Sequence, residues 1–335
     1  TPRVSKRELK LAFLTDPIVF NAVNLQVRLM LSAGYQMKGS ERDLAIVNTF
    51  LDNMGQVGAG TDLDTFLELS LRNLLIFGEG FAEKVYNKKG DTILDIELVD
   101  PELVYYATDI LDNVLLDEHN NPLGFIEFIP LGVAKPKIVL PMPTRIKPVY
   151  NALYLPADRM IHFKYISSGD GLNYYGIVEA VYQQVMFKKN IQRSFSSFLA
   201  RLGYPILWGK LGDEAHDPSE EQVKNMLEEL KNTKNNDVFA TPYYSQIGVI
   251  EPKAPENMIQ HLEMFNSEII AGLGVPKAFA TGGGEETNRA TLGRQEYLMK
   301  LSMKECLRRF SYALEQGLFR PLCEQSGSST YPHMV

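Results

Sequence analysis

Between Gly176 and Gly203 the chain runs for 26 residues, Ile177 to Leu202, without a proline or a glycine. At 1.5 Å per residue an unbroken helix of that length measures roughly 39 Å. The mean helix of a globular protein has only about 11 to 12 residues, so a rod of this length is the strongest constraint on the fold. A compact β-α-β pattern follows it: "YPILWGKL" reads as a strand, "DPSEEQVKNMLEELKN" as a helix capped by Asp217 with Pro218 in first position, and "DVFATP" as the returning strand. Val223, Met226, Leu227 and Leu230 fall on one face of that helix. A second long helix, "PENMIQHLEMFNSEIIAGLG", stops before Pro276, a glycine loop follows, and a final helix runs from about Asn288 to Glu324.

The N-terminal half mixes the two periodicities. In "TDPIVFNAVNLQVRLMLSAGY" Thr15 or Asp16 caps a helix with Pro17 in its first turn, and Val19, Val23, Val27 and Met30 or Leu31 repeat at helical spacing. "TDLDTFLELSLRNLLIFGEG" is a second helix with Phe66, Leu69, Leu74 and Phe77 as core positions. The pattern then switches to a hairpin, "GFAEKVYN" and "TILDIELVD" around the turn "KKGD", with further strands expected at residues 104–107, 124–129 and 159–165. Residues 130–150 are proline-rich and read as irregular or edge-strand chain. The fold class is α+β.

At 335 residues with 45% apolar content, the chain suits one large or two to three small folded domains. A net charge of −7 argues against a protein that grips nucleic-acid phosphates over most of its surface, though not against one that guides DNA past itself. Two cysteines, Cys306 and Cys323, suit buried positions on the final helix and a reducing compartment. No apolar run reaches the ~18 residues of a membrane span, and no signal peptide is recognisable. The start at Thr1, without methionine, leads us to expect a longer native N-terminus, and "EQSGSSTYPHMV" reads as a frayed tail or a cut edge.

Catalytic chemistry finds little support. The triple glycine Gly282, Gly283, Gly284 is followed by Glu285 and Glu286, which repel phosphate, and lacks the lysine and hydroxyl of a nucleotide-binding loop. A mobile surface loop is the plainer reading, since glycine gives conformational freedom at little steric cost. The histidines His119, His162, His216, His261 and His333 have no ligand-spaced partner, and no nucleophile elbow is present. No catalytic residue, cofactor or metal is assigned.

Charge is unevenly distributed. Residues 180–212 contain no Asp or Glu but carry Lys188, Lys189, Arg193, Arg201 and Lys210; residues 213–229 then carry seven acids against Lys224. A solvated helix face is the ordinary explanation. The functional alternative is a surface that meets something anionic along the helix and, at its acidic tip, repels it or binds a basic partner.

The order of these pieces resembles the portal protein of tailed double-stranded DNA viruses, the connector between head and tail. The matching stretches are "DPIVFNAVNLQVRLMLSAGY", "LIFGEGFAEKVYNKKGDTILDIELVDPELV", "LPADRMIHFKYISSGDGLNYYGIVEAV" and "SEIIAGLGVPKAFATGGGEETNRATLGRQE". The resemblance implies a helical and β wing at 1–175, a stem helix at 176–202 and a small α/β clip at 203–254. A second stem helix at 255–275, a tunnel loop at 276–289 and a long C-terminal wing helix at 290–325 complete it. Residues 326–335 form a tail, with the helical crown of many portals absent or truncated.

It further implies a ring, dodecameric in the particle, around non-specifically bound double-stranded DNA. Gly282 to Glu286, Thr287, Asn288 and Arg289 would touch the DNA. Lys188, Lys189, Arg193 and Arg201 would form a basic stem, with Val181, Val185, Phe195 and Phe198 buried against neighbouring stems. Asp217, Glu220, Glu221, Glu228 and Glu229 would dock the large terminase subunit and later the head–tail adaptor. The major capsid protein is a further expected partner, and the location is a unique vertex of a virion assembled in host cytoplasm, with no membrane. Two rival readings remain: a non-channel assembly or adaptor protein, and an enzyme that binds nucleotide at Gly282–Gly284.

Overall fold

The computed structural model describes residues 4–32, 34–56, 61–130, 143–202, 206–214, 217–232, 244–250, 258–281 and 289–335. The chain divides into two compact units, residues 1–185 with 266–335, and residues 186–265.

The first unit begins with α1 (Lys6–Thr15), whose cap is reciprocal: Ser5 Oγ accepts from the Glu8 amide and the Glu8 carboxylate from the Ser5 amide. Asp16 settles the alternative left open above, accepting from the amides of Ile18 and Val19 at 2.9 and 3.2 Å to cap α2 (Pro17–Ser32). Val19, Val23, Val27 and Met30 are buried along one face of α2. A short strand β1 (Met37–Lys38) and α3 (Glu41–Asp52) lead to α4 (Leu63–Phe77), capped by Asp62. Phe66, Leu74 and Phe77 are core residues as expected, but Leu69 is 36% exposed; Leu67 and Leu71 take the inward positions.

Strands β2 (Glu79–Tyr86) and β3 (Ile93–Val99) form the expected hairpin. They are followed by β4 (Val104–Tyr106), β5 (Gly124–Phe128), β6 (Ala152–Pro156) and β7 (Met160–Lys164). These make two antiparallel three-stranded sheets, ordered β3-β2-β7 and β4-β5-β6. The period-2 alternation of β2 and β7 gives the first sheet two apolar faces. Ala82, Ile161 and Phe163 join the helical core, while Phe81, Val99 and Met160 pack with Val104, Phe125 and Leu155 of the second sheet. The order is therefore helices, sheet, sheet.

The pair β8 (Ile166–Ser167) and β9 (Tyr174–Tyr175) delivers the chain to α5 (Ile177–Leu202), an unbroken 26-residue helix. The second unit holds the later part of α5, then β10 (Ile206–Leu211), α6 (Glu220–Lys231), β11 (Ser245–Ile250) and the beginning of α7 (Met258–Gly272). Back in the first unit come α8 (Lys277–Thr281) and α9 (Arg289–Leu314). After a π-helical turn at Glu315–Phe319 follow α10 (Arg320–Gln325) and β12 (His333–Met334). Phe163 of the sheet lies between Phe66 of α4, edge-on at 6.3 Å, and Phe310 of α9, stacked at 4.7 Å. Helices and sheet thus share one aromatic centre, with pairs worth about 0.5–1.5 kcal/mol beyond their burial.

Several expectations change. The cap of α6 is Ser219, whose hydroxyl accepts from Gln222 while Gln222 reaches back to the Ser219 amide, so Asp217 and Pro218 lie before the helix. The returning strand is β11; the "DVFATP" segment lies outside the described residues, as do Gly282–Asn288. Lys277–Thr281, expected as loop, is the short helix α8. The two cysteines are buried, but on α9 and α10, with the π turn between them. Residues 326–335 are not frayed. β12 pairs with β1, and the buried Asp43 accepts hydrogen bonds from Ser328 and Thr330, both at 2.6 Å. Glu315, also buried, accepts from the Met334 amide at 2.8 Å. Two buried carboxylates thus hold the tail by charge-assisted hydrogen bonds.

The glycines of "LIFGEG" and "NYYGIV" meet. Gly78 ends α4 at φ +79° with its amide on Leu74 O, and a Cβ there would fall 2.3 Å from the Tyr175 carbonyl carbon. A Cβ on Gly176 would sit 2.4 Å from Ile76 O and 2.5 Å from Leu75 O. These are backbone atoms with no rotamer by which to withdraw. We expect Gly176→Ala to destabilise the first unit by about 2–3 kcal/mol through overpacking, measured by denaturant unfolding; an unchanged midpoint would contradict the close approach.

Candidate functional site

The residues singled out in the sequence occupy separate surfaces. On α5, Lys188 is buried at 6% exposure, Lys189 is half-buried and Arg193 exposed. Lys189 and Arg193 are four residues apart and share a face one turn along the rod. Arg201 lies in the last turn of α5 and Arg289 opens α9. Gly282 to Gly284, Glu285, Glu286, Thr287 and Asn288 fall outside the described residues. Val181 and Val185, expected to face neighbouring stems, are already buried within this chain; a Cβ on Gly272 of α7 would lie 2.4 Å from Val181. Phe195 and Phe198 are half-buried and stack on each other at 6.5 Å.

Asp217, Glu220, Glu221, Glu228 and Glu229 are all exposed on or beside α6. Glu220 and Glu221 stand in its first turn, where the helix dipole favours them. Glu228 and Glu229 lie in the last two turns, where the dipole disfavours them and Lys231 is the nearby cation. An acidic tip kept at that cost is a surface feature rather than a device for helix stability.

One buried polar constellation escaped the sequence reading. Lys6 of α1 contacts the Glu79 carboxylate at 2.8 Å, and His162 Nε2 lies 3.2 Å from its other oxygen. His162 stacks on Phe81 at 4.6 Å, and a cleft of about 290 Å³ lined by Tyr105, Tyr106, Phe125 and Asn173 opens beside Lys6 and Glu79. Burial pushes the Glu79 carboxyl up, but the His162 hydrogen bond and the Lys6 charge overcome it and bring it down to about 2. Burial lowers His162, which stays neutral and donates from Nε2 to the carboxylate. The group holds no activated nucleophile, and each charge has its partner. Its effect is to pin α1 to β2 and β7. The signal available in the sequence was a histidine amid the alternating apolar residues of "RMIHFKYI", opposite a glutamate in "GEGF".

A second set, Glu83, Glu97 and Glu127, flanks the apolar layer between the sheets; Glu83 and Glu97 are direct cross-strand partners. Burial, then Glu83 and Glu97, raise the Glu127 carboxyl to about 7. Arg159 is the cation acting on Glu83. Among the described residues no group of three or more His, Cys, Asp and Glu side chains can hold a metal ion, and no helix is long and apolar enough to cross a membrane.

Comparison with known proteins places the fold. A family model described as the portal protein of Mu bacteriophage matches residues 8–335. The comparison with curated proteins found no match. Among solved structures, a chain in the virion of a native gene transfer agent particle is similar at TM-score 0.65 and 15% identity, covering 99% of this chain and 83% of that one. A chain in the neck of the native gene transfer agent particle, computed with C12 symmetry, is similar at TM-score 0.59 and 15% identity, covering 97% and 81%. An HK97-family phage portal protein from Corynebacterium diphtheriae is similar at TM-score 0.53 and 12% identity, covering 95% and 93%. At these identities the solved structures show a shared fold.

Glu127 supplies a pH test. Its carboxyl is raised in the fold, so the stability it contributes is fully present below about pH 4.5 and is lost as pH rises through about 7. Glu127→Gln is therefore expected to raise the melting temperature at pH 8 and leave it unchanged at pH 4. Equal effects at both pH values in differential scanning calorimetry would contradict the buried carboxylate set.

Proposed function

This chain belongs to the family of the portal protein of Mu bacteriophage, and on that premise we propose that its copies close into a ring through which double-stranded DNA passes into and out of a viral head. The observation that carries the reading is the family match over residues 8–335 together with the unbroken α5 at the position a portal stem requires. A head-to-tail interface whose rotation closes on itself gives such a ring. Twelve copies is the number we carry over from the C12 neck of the gene transfer agent particle.

In this reading the first unit, with α1–α4, both three-stranded sheets and α9, is the wing. Helices α5 and α7 are the stem, and β10, α6 and β11 form the clip. The segment at Gly282–Arg289 is the tunnel loop, touching DNA as it slides. A passage that must work in both directions cannot tolerate base-reading contacts, because one good bidentate pair is worth about 1–3 kcal/mol. Glycines for compliance, Glu285 and Glu286 against adhesion, and Arg289 for passing phosphate contact suit a low-friction guide.

Lys189 and Arg193 recur in every copy of a closed ring and make a positive belt whose hold on phosphate weakens with salt. Asp217, Glu220, Glu221, Glu228 and Glu229 present a repeated acidic rim to the large terminase subunit during packaging and to the head–tail adaptor afterwards. The wing meets the major capsid protein at one vertex of a head assembled in host cytoplasm. ATP hydrolysis belongs to the motor, and no reaction is assigned to this chain.

Two outcomes test the reading. The purified or capsid-assembled protein should sediment as a multiple of the 37.8 kDa chain with a ring's mass, and nucleotide should not raise its melting temperature; nucleotide stabilisation would favour the enzyme reading. Replacing Gly282, Gly283 and Gly284 together by alanine should lower packaging or DNA retention in assembled particles. Particles that fill and hold DNA as before would remove the tunnel role.

A further inference from the structure

We propose that the open edge of β7 is a docking strand for an extended acidic segment of another protein, which adds to the sheet as a fourth strand. The proposal concerns the first unit alone and does not need the ring. In the order β3-β2-β7, strand β7 has a partner on one side only among the described residues. The Tyr165 amide bonds to Gly78 O, and the antiparallel ladder alternates from there, so Phe163 and Ile161 exchange hydrogen bonds with β2. The N–H and C=O groups of His162 and Lys164, and the C=O of Met160, are then directed away from β2. The Met160 amide is already used by Ala157 O.

A cleft of about 640 Å³ runs along this strand. Met160, His162 and Lys164 line it from one face of β7 and Ile161 from the other, so it lies over the edge rather than over a face. Cations mark both ends. Lys164 is paired with Glu79, and Lys84 lies five residues further along β2, about 17 Å away along the ladder. Lys84 is 6% exposed, yet it makes no hydrogen bond or ion pair with a described residue. Lys164 has the ring of Tyr174 at 5.3 Å. Burial is the larger influence on both ammonium groups and lowers them; Asp158 and Glu79 act the other way without reaching ion-pair distance. Arg309 of α9 stands at the Lys164 end, where it donates to Tyr165 O at 2.7 Å and pairs with Glu305.

The backbone groups select a strand, and the side chains select its charge. Among the residues that line the cleft, Asp158 is the one carboxylate against Lys84, Lys164 and Arg309. An acid brought to an unpaired, largely buried ammonium group gains a charge-assisted hydrogen bond. Strand β7 itself carries cations and no acid, so pairing two copies of it would gather like charge. The phosphates of a DNA duplex offer acceptors alone and would leave the C=O groups of Met160, His162 and Lys164 unmatched. Lys84 and Lys164 stand on opposite faces of the sheet, an odd number of residues apart. A segment of about six residues with an acid at each end therefore spans the cleft and points one acid to each.

The probe is a fluorescein-labelled peptide, Glu-Thr-Val-Thr-Val-Glu, titrated with the full chain and followed by fluorescence anisotropy. We expect saturable binding that Lys84→Met together with Lys164→Gln weakens roughly tenfold or more, with the unfolding midpoint recorded as the control for folding. A backbone N-methylated peptide keeps the acids but loses the donors, and it should not compete; nor should a peptide with lysine in place of both glutamates. If the double variant does not fold, these two peptides decide on the wild-type chain. Absence of binding at millimolar peptide, or equal competition by the N-methylated form, would overturn the added strand. Equal binding of the lysine form would overturn the acidic partner. Displacement of the peptide by duplex DNA would give the cleft to nucleic acid, and a change in sedimentation of the free chain on the two substitutions would give it to a second copy; either overturns the proposal. None of these outcomes bears on the ring.

Discussion

Everything in the first unit turns on the place where two backbones touch. The last turn of α4 and the peptide joining β9 to α5 lie so close that neither Gly78 nor Gly176 has room for a Cβ. At that point α4 reverses into β2, and two residues of ladder deliver the chain into the long helix. The Tyr165 amide bonds to Gly78 O at 2.9 Å, tying the end of β7 to the same spot. The start of α5 is thus fixed by backbone packing against the core, and Val178, Val181 and Val185 bury its first two turns. A rod anchored so rigidly at one end is what a stem needs. Nearby, the ion pair of Lys6 and Glu79 and the neutral His162 fasten α1 to the same sheet, so the N-terminal helix belongs to the anchor.

The two units differ in what holds them. The first has layered cores, an aromatic centre and the buried carboxylates Asp43, Glu79 and Glu315, each held by donors. Among its described residues the second leaves Phe187, Trp208, Val223 and Leu227 exposed.

How much of this was legible depended on the range of the forces involved. The rod at 177–202, the hairpin 79–99 and the caps of α2 and α4 are local, written in spacing and in Asp, Pro and Gly at helix ends. Helices α1 and α3 carry cap signals in Ser5 with Glu8 and Ser40 with Asp43, but each is a short helix of 10 or 12 residues with only three buried positions, so its apolar period is weak. Asp217 before Pro218 is a cap signal, yet Ser219 with Gln222 satisfies two amides reciprocally and prevails. Leu69 was misplaced because helical spacing allows more than one stripe, and only the position of the sheet decides between them. The docked tail and the Lys6–Glu79–His162 cluster join residues far apart in sequence, which no local pattern encodes. For the candidate surfaces, the sequence showed the charge asymmetry, while the burial of Lys188 and the uncovered Trp208 needed coordinates.

The most direct measurement is an electron cryo-microscopy reconstruction of the assembled protein. This account expects a closed ring with a passage wide enough for a DNA duplex and residues 177–202 as one straight rod in each copy. A closed monomer, an open filament, or a ring in which residues 177–202 are broken into pieces would contradict it.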